Sequence, residues 1–515
     1  MGSAASQPLL VGVDLGTSAA KAMVVDAAGR AHGRARAAYP LRRARPTWAE
    51  QAPDDWWDAV CRAVRQATAG VERRSIAALA LSGQLNAVVL LDATGQPLRD
   101  ALVWLDVRAA SEAAWLRERF GEAVRAATYA SLTPINALSK LMWIRLHEPT
   151  SWQRARHYLP AKDYVNFRLT GELAAELTDL CVTALLDIRT GTYSRELLDA
   201  AEIPPSLLPR IVASTDVVGR LSPEAARALD LAAGTPVVAG AGDMAALAVG
   251  TGVTRPGTAC ATIATAGHVA AFLEGLPARG DDRLWLMLHP IPGRYFWHGM
   301  VMNAGDSLAF FRRTLGQLEE QAGRMLGTDA FDLLTVQAAD SPPGSRGLVY
   351  LPFLNGAATP YNDPHMKGAF VGLTAGHRRS DFVRAVLEGV AYNFRQVFDV
   401  LAELGADVRD VYVGEGGSRS TLWRSILADV LGRPLLVVEE VDAASLGAAL
   451  IAGVGVGVWP NFEVAGRQAV RVAERVDPDP HRQQRYQAIY GVYAEACRSL
   501  RPLGRLLEEL PGEEG

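Results

Sequence analysis

A chain of 515 residues is too long for one ordinary hydrophobic core, which predicts two domains of about 250 residues each. Hydrophobic residues make up 49% and charged residues 21%, and a net charge of -4 supplies no basic field, so nucleic acid and anionic lipid are excluded as partners and any phosphate-bearing ligand must be held by a local site. Cys61, Cys181, Cys260 and Cys497 are spaced for neither a disulfide framework nor a metal cluster, no apolar run is long enough to span a bilayer, and MGSAASQPLLVGVDLG lacks a basic leader, so a cytoplasmic location with reduced thiols is expected.

The apolar run Leu9 to Asp14 ends in Gly-Thr-Ser, and a second run, Lys21 to Asp26, ends at Gly29. Two such runs around a polar, glycine-containing segment predict a hairpin, with Gly33 to Tyr39 as a third strand. From Asp54 to Ala67 the period changes: Trp56, Trp57, Val60, Ala63, Val64 and Ala67 recur at helical spacing behind Pro53, a first-turn residue. Ile76 to Leu81 and Val88 to Leu91 are further strands. Hairpin, strand, helix and strand depart from the doubly wound order and fit an actin-like or ribonuclease H-like α/β domain. Leu138 to His147 and Ala161 to Leu169 are helices of a more irregular middle, and Val237 to Gly240 is a short strand opening into the helix Met244 to Val249. Residues 250–257, rich in Gly, Thr and Pro, mark the expected junction between an N-terminal domain, 1–249, and a C-terminal domain, 250–515. Beyond it, Gly257 to Ile263 and Ala264-Thr265-Ala266-Gly267 repeat the opening strand and turn in degenerate form, which suggests an internal duplication. Asp381 to Leu401 is an amphipathic helix, Val411 to Val413 a strand, Leu422 to Leu431 a helix, and the charged tail Pro502 to Gly515 is expected to fray beyond a terminal helix.

Three strand exits carry candidate chemistry. In Asp14-Leu15-Gly16-Thr17-Ser18, Gly16 permits a tight turn whose amide and hydroxyl donors can face phosphate oxygens, and Asp14 suits Mg2+, which prefers hard oxygen ligands. Read alone, an ordinary β-turn serves equally, and the GxxxxGK pattern of a P-loop is absent. In Gly240-Ala241-Gly242-Asp243, a carboxylate behind two glycines has room for a ligand; phosphoryl transfer to an alcohol needs a group that accepts the hydroxyl proton, although a helix cap is the plainer reading. In Gly414-Glu415-Gly416-Gly417-Ser418-Arg419-Ser420, paired glycines admit a flat or anionic ligand, with Ser418 or Ser420 free to cap the next helix. Gln84 and Asn86 stand at another strand end, where amides can read sugar hydroxyls as donor and acceptor. Trp104 offers an apolar platform to a sugar face, while Asp106 and Arg108 either join it or pair with each other.

Several collinear segments, VGVDLGTSAAKAMVVD, LVWLDVRAA, LPAKDYVNFRLTGELA, AGAGDMAALAVG, LPFLNGAATPYNDPHMKGAFVGLT and VGEGGSRSTLWRSILADVLGRP, resemble the FGGY carbohydrate kinases over about residues 9 to 465. The resemblance implies two domains of the actin and hexokinase type around a cleft, ATP and Mg2+ as cofactors, and a sugar as the partner molecule. By that resemblance Asp14 and Thr17, with Gly16 and Ser18, lie near magnesium and the transferable phosphate, Asp243 is the catalytic base and a second carboxylate near the metal, and Thr265 belongs to a second phosphate loop. Gly305, Gly416, Gly417 and Ser420 match the adenosine end of the nucleotide site; Gln84, Leu85, Asn86, Trp104 and Asp106 match the substrate side. Homodimers are common in the family.

Within the family the likeness is to xylulokinases, from which the substrate side departs. Gln84-Leu85-Asn86-Ala87 replaces Gln-Met-His-Gly, and Asp243-Met244 replaces Asp-Asn. Ala264-Thr265-Ala266-Gly267 replaces Gly-Thr-Ser-Gly, with the hydroxyl of Thr265 retained. The expected activity is ATP-dependent phosphorylation of the terminal hydroxyl of a ketopentose, D-xylulose first, with ribulose, erythritol or a similar polyol as the alternative. A nucleotide-dependent sugar sensor without turnover is the alternative of another class; the retained Asp14, Thr17 and Asp243, and the absence of any DNA-binding module, stand against it.

Overall fold

The computed structural model describes residues 8–509, so the first seven residues and the last part of the charged tail, 510–515, lie outside the description. Contacts divide the chain into two compact units: 1–254 with 273–296 and 442–471, and 255–272 with 297–441 and 472–515. The first break falls inside the glycine-rich stretch 250–257. Neither unit is one continuous segment, because two later pieces of chain return to the first.

The first unit is built on a six-stranded sheet. Its strands are β1 (Leu9–Leu15), β2 (Ala19–Val25), β3 (Ala31–Ala38), β4 (Ile76–Gly83), β5 (Val217–Arg220) and β6 (Pro236–Gly242), in the order β5-β6-β4-β1-β2-β3. β1 runs parallel to β4, and β4 parallel to β6, whereas β1-β2, β2-β3 and β5-β6 are antiparallel. Central β1 is buried on both faces and reads as an unbroken apolar run; edge β3 alternates, with His32, Arg34 and Arg36 in solvent and Gly33, Ala35 and Ala37 facing inward. Helix α1 (Pro53–Ala67) begins with Pro at N1, carries Asp54 and Asp55 in its first turn and Arg65 in its last, and buries Trp56, Val60, Ala63, Val64 and Ala67. It packs so closely on β3 that a Cβ on Gly33 would stand 1.9 Å from the carbonyl of Ala67.

Helix α2 (Ala137–His147) and helix α3 (Ala161–Thr170) follow the predicted spans within a residue or two, and α4 (Asp243–Gly250) springs from the end of β6. In the second unit β7 (Thr258–Ile263), β8 (Gly267–Leu273), β9 (Tyr295–Val301), β10 (Asp410–Gly414), β11 (Leu435–Val438) and β12 (Val472–Val476) lie in the order β12-β11-β10-β7-β8-β9. Helices α5 (Arg379–Glu403) and α6 (Thr421–Leu431) flank β10 in sequence. β7 is antiparallel to β8 and parallel to β10, β10 is parallel to β11, and β11 is antiparallel to β12. The run β10-β7-β8-β9 repeats β4-β1-β2-β3 in order, and the second sheet continues past β9 to a seventh strand, Trp285–Leu288, so the repeated glycine-hydroxyl turn stands at the same place in both sheets.

The return segment 442–471 contributes helix α7 (Ala443–Gly455) to the first unit. It lies against β1 and α4 through backbone-to-backbone approaches. A Cβ on Gly12 would stand 2.0 Å from the Ser445 carbonyl, and one on Gly447 would stand 1.8 Å from that of Ala246. Cys181, Cys260 and Cys497 are buried and Cys61 is half-buried, all as free thiols. Among the described residues no helix is long and apolar enough to cross a membrane.

Candidate active site

The candidate residues of the first unit sit at the carboxyl ends of β1, β4 and β6, the edge of an open α/β sheet where loops leave room for ligands. Asp14 is the penultimate residue of β1 and accepts a hydrogen bond from Ser82 Oγ on β4 at 3.0 Å. Burial pushes its carboxyl above the usual carboxylate range, opposed by Lys21 and by the Ser82 bond. Lys21 itself pairs with Asp442 at 2.8 Å. In the turn that follows, Gly16 N bonds Ala19 O at 3.1 Å, and the Gly16 carbonyl receives the Tyr39 hydroxyl. Thr17 accepts Trp104 Nε1 on its hydroxyl at 2.9 Å and Gln51 Nε2 on its carbonyl at 2.7 Å. Ser18 is exposed.

Asp243 is the first residue of α4, with Gly242 as the cap residue before it. Gly240 adopts φ +81°, and a Cβ there would meet the Leu81 carbonyl at 1.8 Å, so only glycine lets β6 lie against β4 at this point. The Asp243 carboxylate accepts the Met244 amide at 2.8 Å. Burial first, and repulsion from Asp14 second, raise its pKa to about 7. Half-buried Leu85 packs against Gly242, where a Cβ would come within 2.4 Å of its Cδ2.

The backbone in front of Asp243 is tied to a buried polar cluster that no sequence pattern reveals. Gly242 N donates to Thr178 Oγ1 at 2.9 Å, and that hydroxyl donates to Glu176 at 2.8 Å. Glu176 also takes Ser214 Oγ at 2.6 Å. Lys162 pairs with Asp163 at 2.6 Å and stands 3.8 Å from Glu176 and 4.0 Å from Asp179. With three carboxyls and one ammonium out of water, burial drives Asp179 well above the carboxylate range.

On the sugar side, Gln84 is wholly buried, donates to Gln51 Oε1 at 2.8 Å, and leaves its own Oε1 without a hydrogen-bond partner. Asn86 adopts φ +60°, a left-handed conformation that asparagine tolerates. Its side-chain oxygen accepts Ala137 N at 3.3 Å and its carbonyl accepts Lys140 Nζ at 2.9 Å, so the amide nitrogen is what remains for a ligand. Lys140 also donates to Val103 O at 2.7 Å; one buried ammonium thus ties the exit of β4 to the segment that carries Trp104. Asp106, expected among the sugar contacts or paired with Arg108, makes the pairing that the sequence left open. It is wholly buried and accepts Ala49 N at 2.7 Å, Arg108 N at 3.1 Å and the Arg108 guanidinium at 2.7–2.9 Å, which makes it an internal brace. Arg108 in turn stacks over Trp48, 3.6 Å from the ring centroid.

In the second unit, Thr265 is exposed at the β7-β8 turn and its carbonyl accepts the amides of Ala304 and Asp306, each at 3.1 Å. Gly305 N bonds Ala264 O at 2.8 Å, and a Cβ on Gly305 would fall 2.5 Å from that oxygen. At the end of β10, Glu415 is left-handed at φ +70°. A Cβ on Gly417 would collide with Ile263 at 2.3 Å, whereas one on Gly416 would meet nothing within 4 Å. Gly417 therefore serves packing and Gly416 opens space. Ser420 caps α6, accepting Trp423 N at 3.2 Å.

Sequence reasoning missed Gln51, Lys140, Thr178 and the Lys162 cluster. Gln51, Lys140 and Thr178 are joined to the site by partners distant in sequence, the Lys162 cluster gathers charges from 162 to 179, and none stands in a glycine-rich turn.

Two sheets that share a core strand order, each with a glycine-hydroxyl turn behind its first strand, define the actin-like ATPase fold. The model of the FGGY family of carbohydrate kinases, N-terminal domain, matches residues 9–250, and that of the C-terminal domain matches 257–456; the chain belongs to this family of ATP-dependent sugar kinases. It is 32% identical over 445 residues to the xylulose kinase of Escherichia coli (strain K12), covering 86% of this chain and 89% of the relative. The crystal structure of xylulose kinase from Rhodospirillum rubrum is similar with a TM-score of 0.88 at 31% identity, over 96% of this chain and all of that one. The gluconokinase of Bacillus subtilis (strain 168) is 26% identical over 494 residues, 95% of this chain and 96% of the relative.

Proposed function

We propose that the protein transfers the γ-phosphoryl group of ATP to the terminal hydroxyl of a ketopentose, D-xylulose first, with Asp243 as the base. The observation that carries this reading is a half-buried carboxylate, Asp243, at a strand-to-helix turn, accepting the Met244 amide and raised to about 7 by burial and by Asp14. Relatives over nearly the full length are named xylulose kinases, which supports the choice of sugar.

The donor set fits a magnesium ion. Asp14 is close enough to Asp243 for its charge to raise the Asp243 carboxyl, and Mg2+ is commonly held by one or two carboxylates together with phosphate oxygens. Asp14 and Asp243 would hold it, and when bound it offsets negative charge on the phosphates. The open side of Gly416 supports a nucleotide site on the second unit, with the exposed Thr265 turn as a phosphate contact. In the reaction Asp243 orients the acceptor hydroxyl and takes its proton as the new O–P bond forms and the bond to the β-phosphate oxygen breaks, releasing ADP. The Thr17 turn supplies backbone donors to the moving phosphoryl oxygens.

A second reading, a kinase for another ketose, polyol or sugar acid, is favoured by Asn86 and Met244 beside the base and by the gluconokinase relative. ADP release over a panel of ketopentoses, ketohexoses, C4 to C6 polyols and gluconate, with mass spectrometry of the product, separates the two. The strongest turnover is expected with D-xylulose; a stronger signal elsewhere replaces that substrate and leaves the kinase assignment standing.

A further inference from the structure

Gln51 lies in a two-residue strand, Glu50–Gln51, paired with Ala101–Leu102, and is wholly buried. Its amide meets four groups. Nε2 donates to Thr17 O at 2.7 Å and approaches Pro40 O at 3.5 Å; Oε1 accepts Trp56 Nε1 at 3.0 Å and Gln84 Nε2 at 2.8 Å. An amide could in principle be turned end for end, and two of these neighbours forbid it. An indole N–H only donates, and the Thr17 carbonyl only accepts. Gln51 must therefore turn its oxygen to Trp56 and its nitrogen to Thr17. It follows that the Gln84 atom beside the Gln51 oxygen is a donor, the amide nitrogen, which fixes Gln84 the other way round. The Gln84 oxygen is left at the far end, buried and without a hydrogen-bond partner.

We propose that Gln51 is a positioning residue for the sugar kinase reaction: it locks the Gln84 amide so that the substrate meets a hydrogen-bond acceptor there and must supply a hydroxyl as donor. The inference rests on the reading that Gln84 contacts the sugar. Because Gln51 grips the Thr17 carbonyl with the same amide, it also joins that acceptor to the turn assigned to phosphate. A buried acceptor awaiting a donor discriminates strongly against a ligand that lacks one, since the oxygen would otherwise remain unpaired.

The test is a double-mutant cycle on the full chain, with Gln51→Met, Gln84→Met and the double variant assayed for KM and kcat with D-xylulose and with ATP. Methionine keeps the length of both side chains and removes every hydrogen bond. The expected result is a rise of about tenfold or more in sugar KM for each single variant, with the double variant within about twofold of Gln84→Met, because Gln51 acts through Gln84. Effects that multiply in the double variant, or a Gln51→Met enzyme with unchanged sugar KM, overturn the inference while Gln84 remains a sugar contact. An unchanged sugar KM in Gln84→Met overturns the reading of Gln84 itself. Thermal unfolding of each variant identifies loss of fold; if Gln51→Met does not fold, Trp56→Phe takes its place. That change removes one of the two groups that fix the Gln51 amide and leaves the Thr17 carbonyl as the other. A rise in sugar KM that disappears in the Gln84→Met background supports the proposal, and one that persists there overturns it.

Discussion

A carboxylate that takes a proton from an alcohol must be reachable, poised near the working pH and free of stronger partners. Asp243 is placed for this role at the start of a helix leaving β6, and burial beside Asp14 lifts it to about 7. Asp243→Asn is expected to lower sugar-dependent ADP release at least ~10²-fold while ATP binding, followed by equilibrium titration, stays within a few-fold. Near-normal turnover would exclude the residue as base. Asn86 carries two loads, a left-handed backbone and a side-chain bond to the start of α2. Asn86→His is expected to raise relative kcat/KM for D-xylulose across the sugar panel and to cost ~1 kcal/mol of stability through the lost helix-end bond; an unchanged preference would show that the amide does not set the choice of sugar. Asp14, Thr17 and Asp243 were singled out in the sequence by family resemblance, because read alone an ordinary turn or a helix cap accounts for them as well. Gln51 and Lys140 were not, because an isolated Gln before a helix and a Lys within one look like solvated residues until their partners, Gln84 and Val103, are brought to them by the fold.

At the scale of elements, α2 carries a buried cation into the core. Burial lowers Lys140 from 10.5 to about 7, with Asp106 opposing and Arg108 adding to that shift. Below pH 7 folded and unfolded chains both hold the proton, so the cost of burying the charge is present in full. Between pH 7 and 10.5 the unfolded chain retains a proton that the folded chain has released, and the cost recedes. The wild-type protein should therefore gain stability relative to Lys140→Met as pH rises above 7, by up to about 1.4 kcal/mol per pH unit. Thermal unfolding of both proteins from pH 6.5 to 9.5 checks this; parallel curves would mean that Lys140 stays protonated. Methionine also removes the Lys140 donor from the Asn86 carbonyl and from the Val103 carbonyl, which keeps only the Asp106 amide, so the variant should bind the sugar more weakly at every pH. The ends of α1 could be read from its period and its first-turn proline. Helix α7 could not, since Ala443–Gly455 is buried nearly all round and small throughout, and a helix without a polar face shows no period.

That helix decides how the whole molecule is partitioned. Composition and the Gly-Thr-Pro stretch suggested one cut near residue 250, and the family models also part there, between residues 250 and 257. Contacts instead assign 273–296 and 442–471 to the first unit, and α7 covers β1 at glycine-to-carbonyl distances that no solvent layer could replace. Such a return segment is invisible to a linear reading, because a junction is recognised by local composition while a re-entering helix is recognised only by what it covers. Residues 1–254 expressed alone would leave the α7 face of β1, with Gly12 at its centre, open to water. They are expected to aggregate or to be digested rapidly by protease, whereas the full chain resists. Supplying 442–471 in trans, together with 273–296, should slow that digestion by filling the same face. A fragment 1–254 that is monomeric, protease-resistant and cooperatively unfolding would show that the first unit holds its core without α7, and the discontinuous division would then be a feature of packing alone.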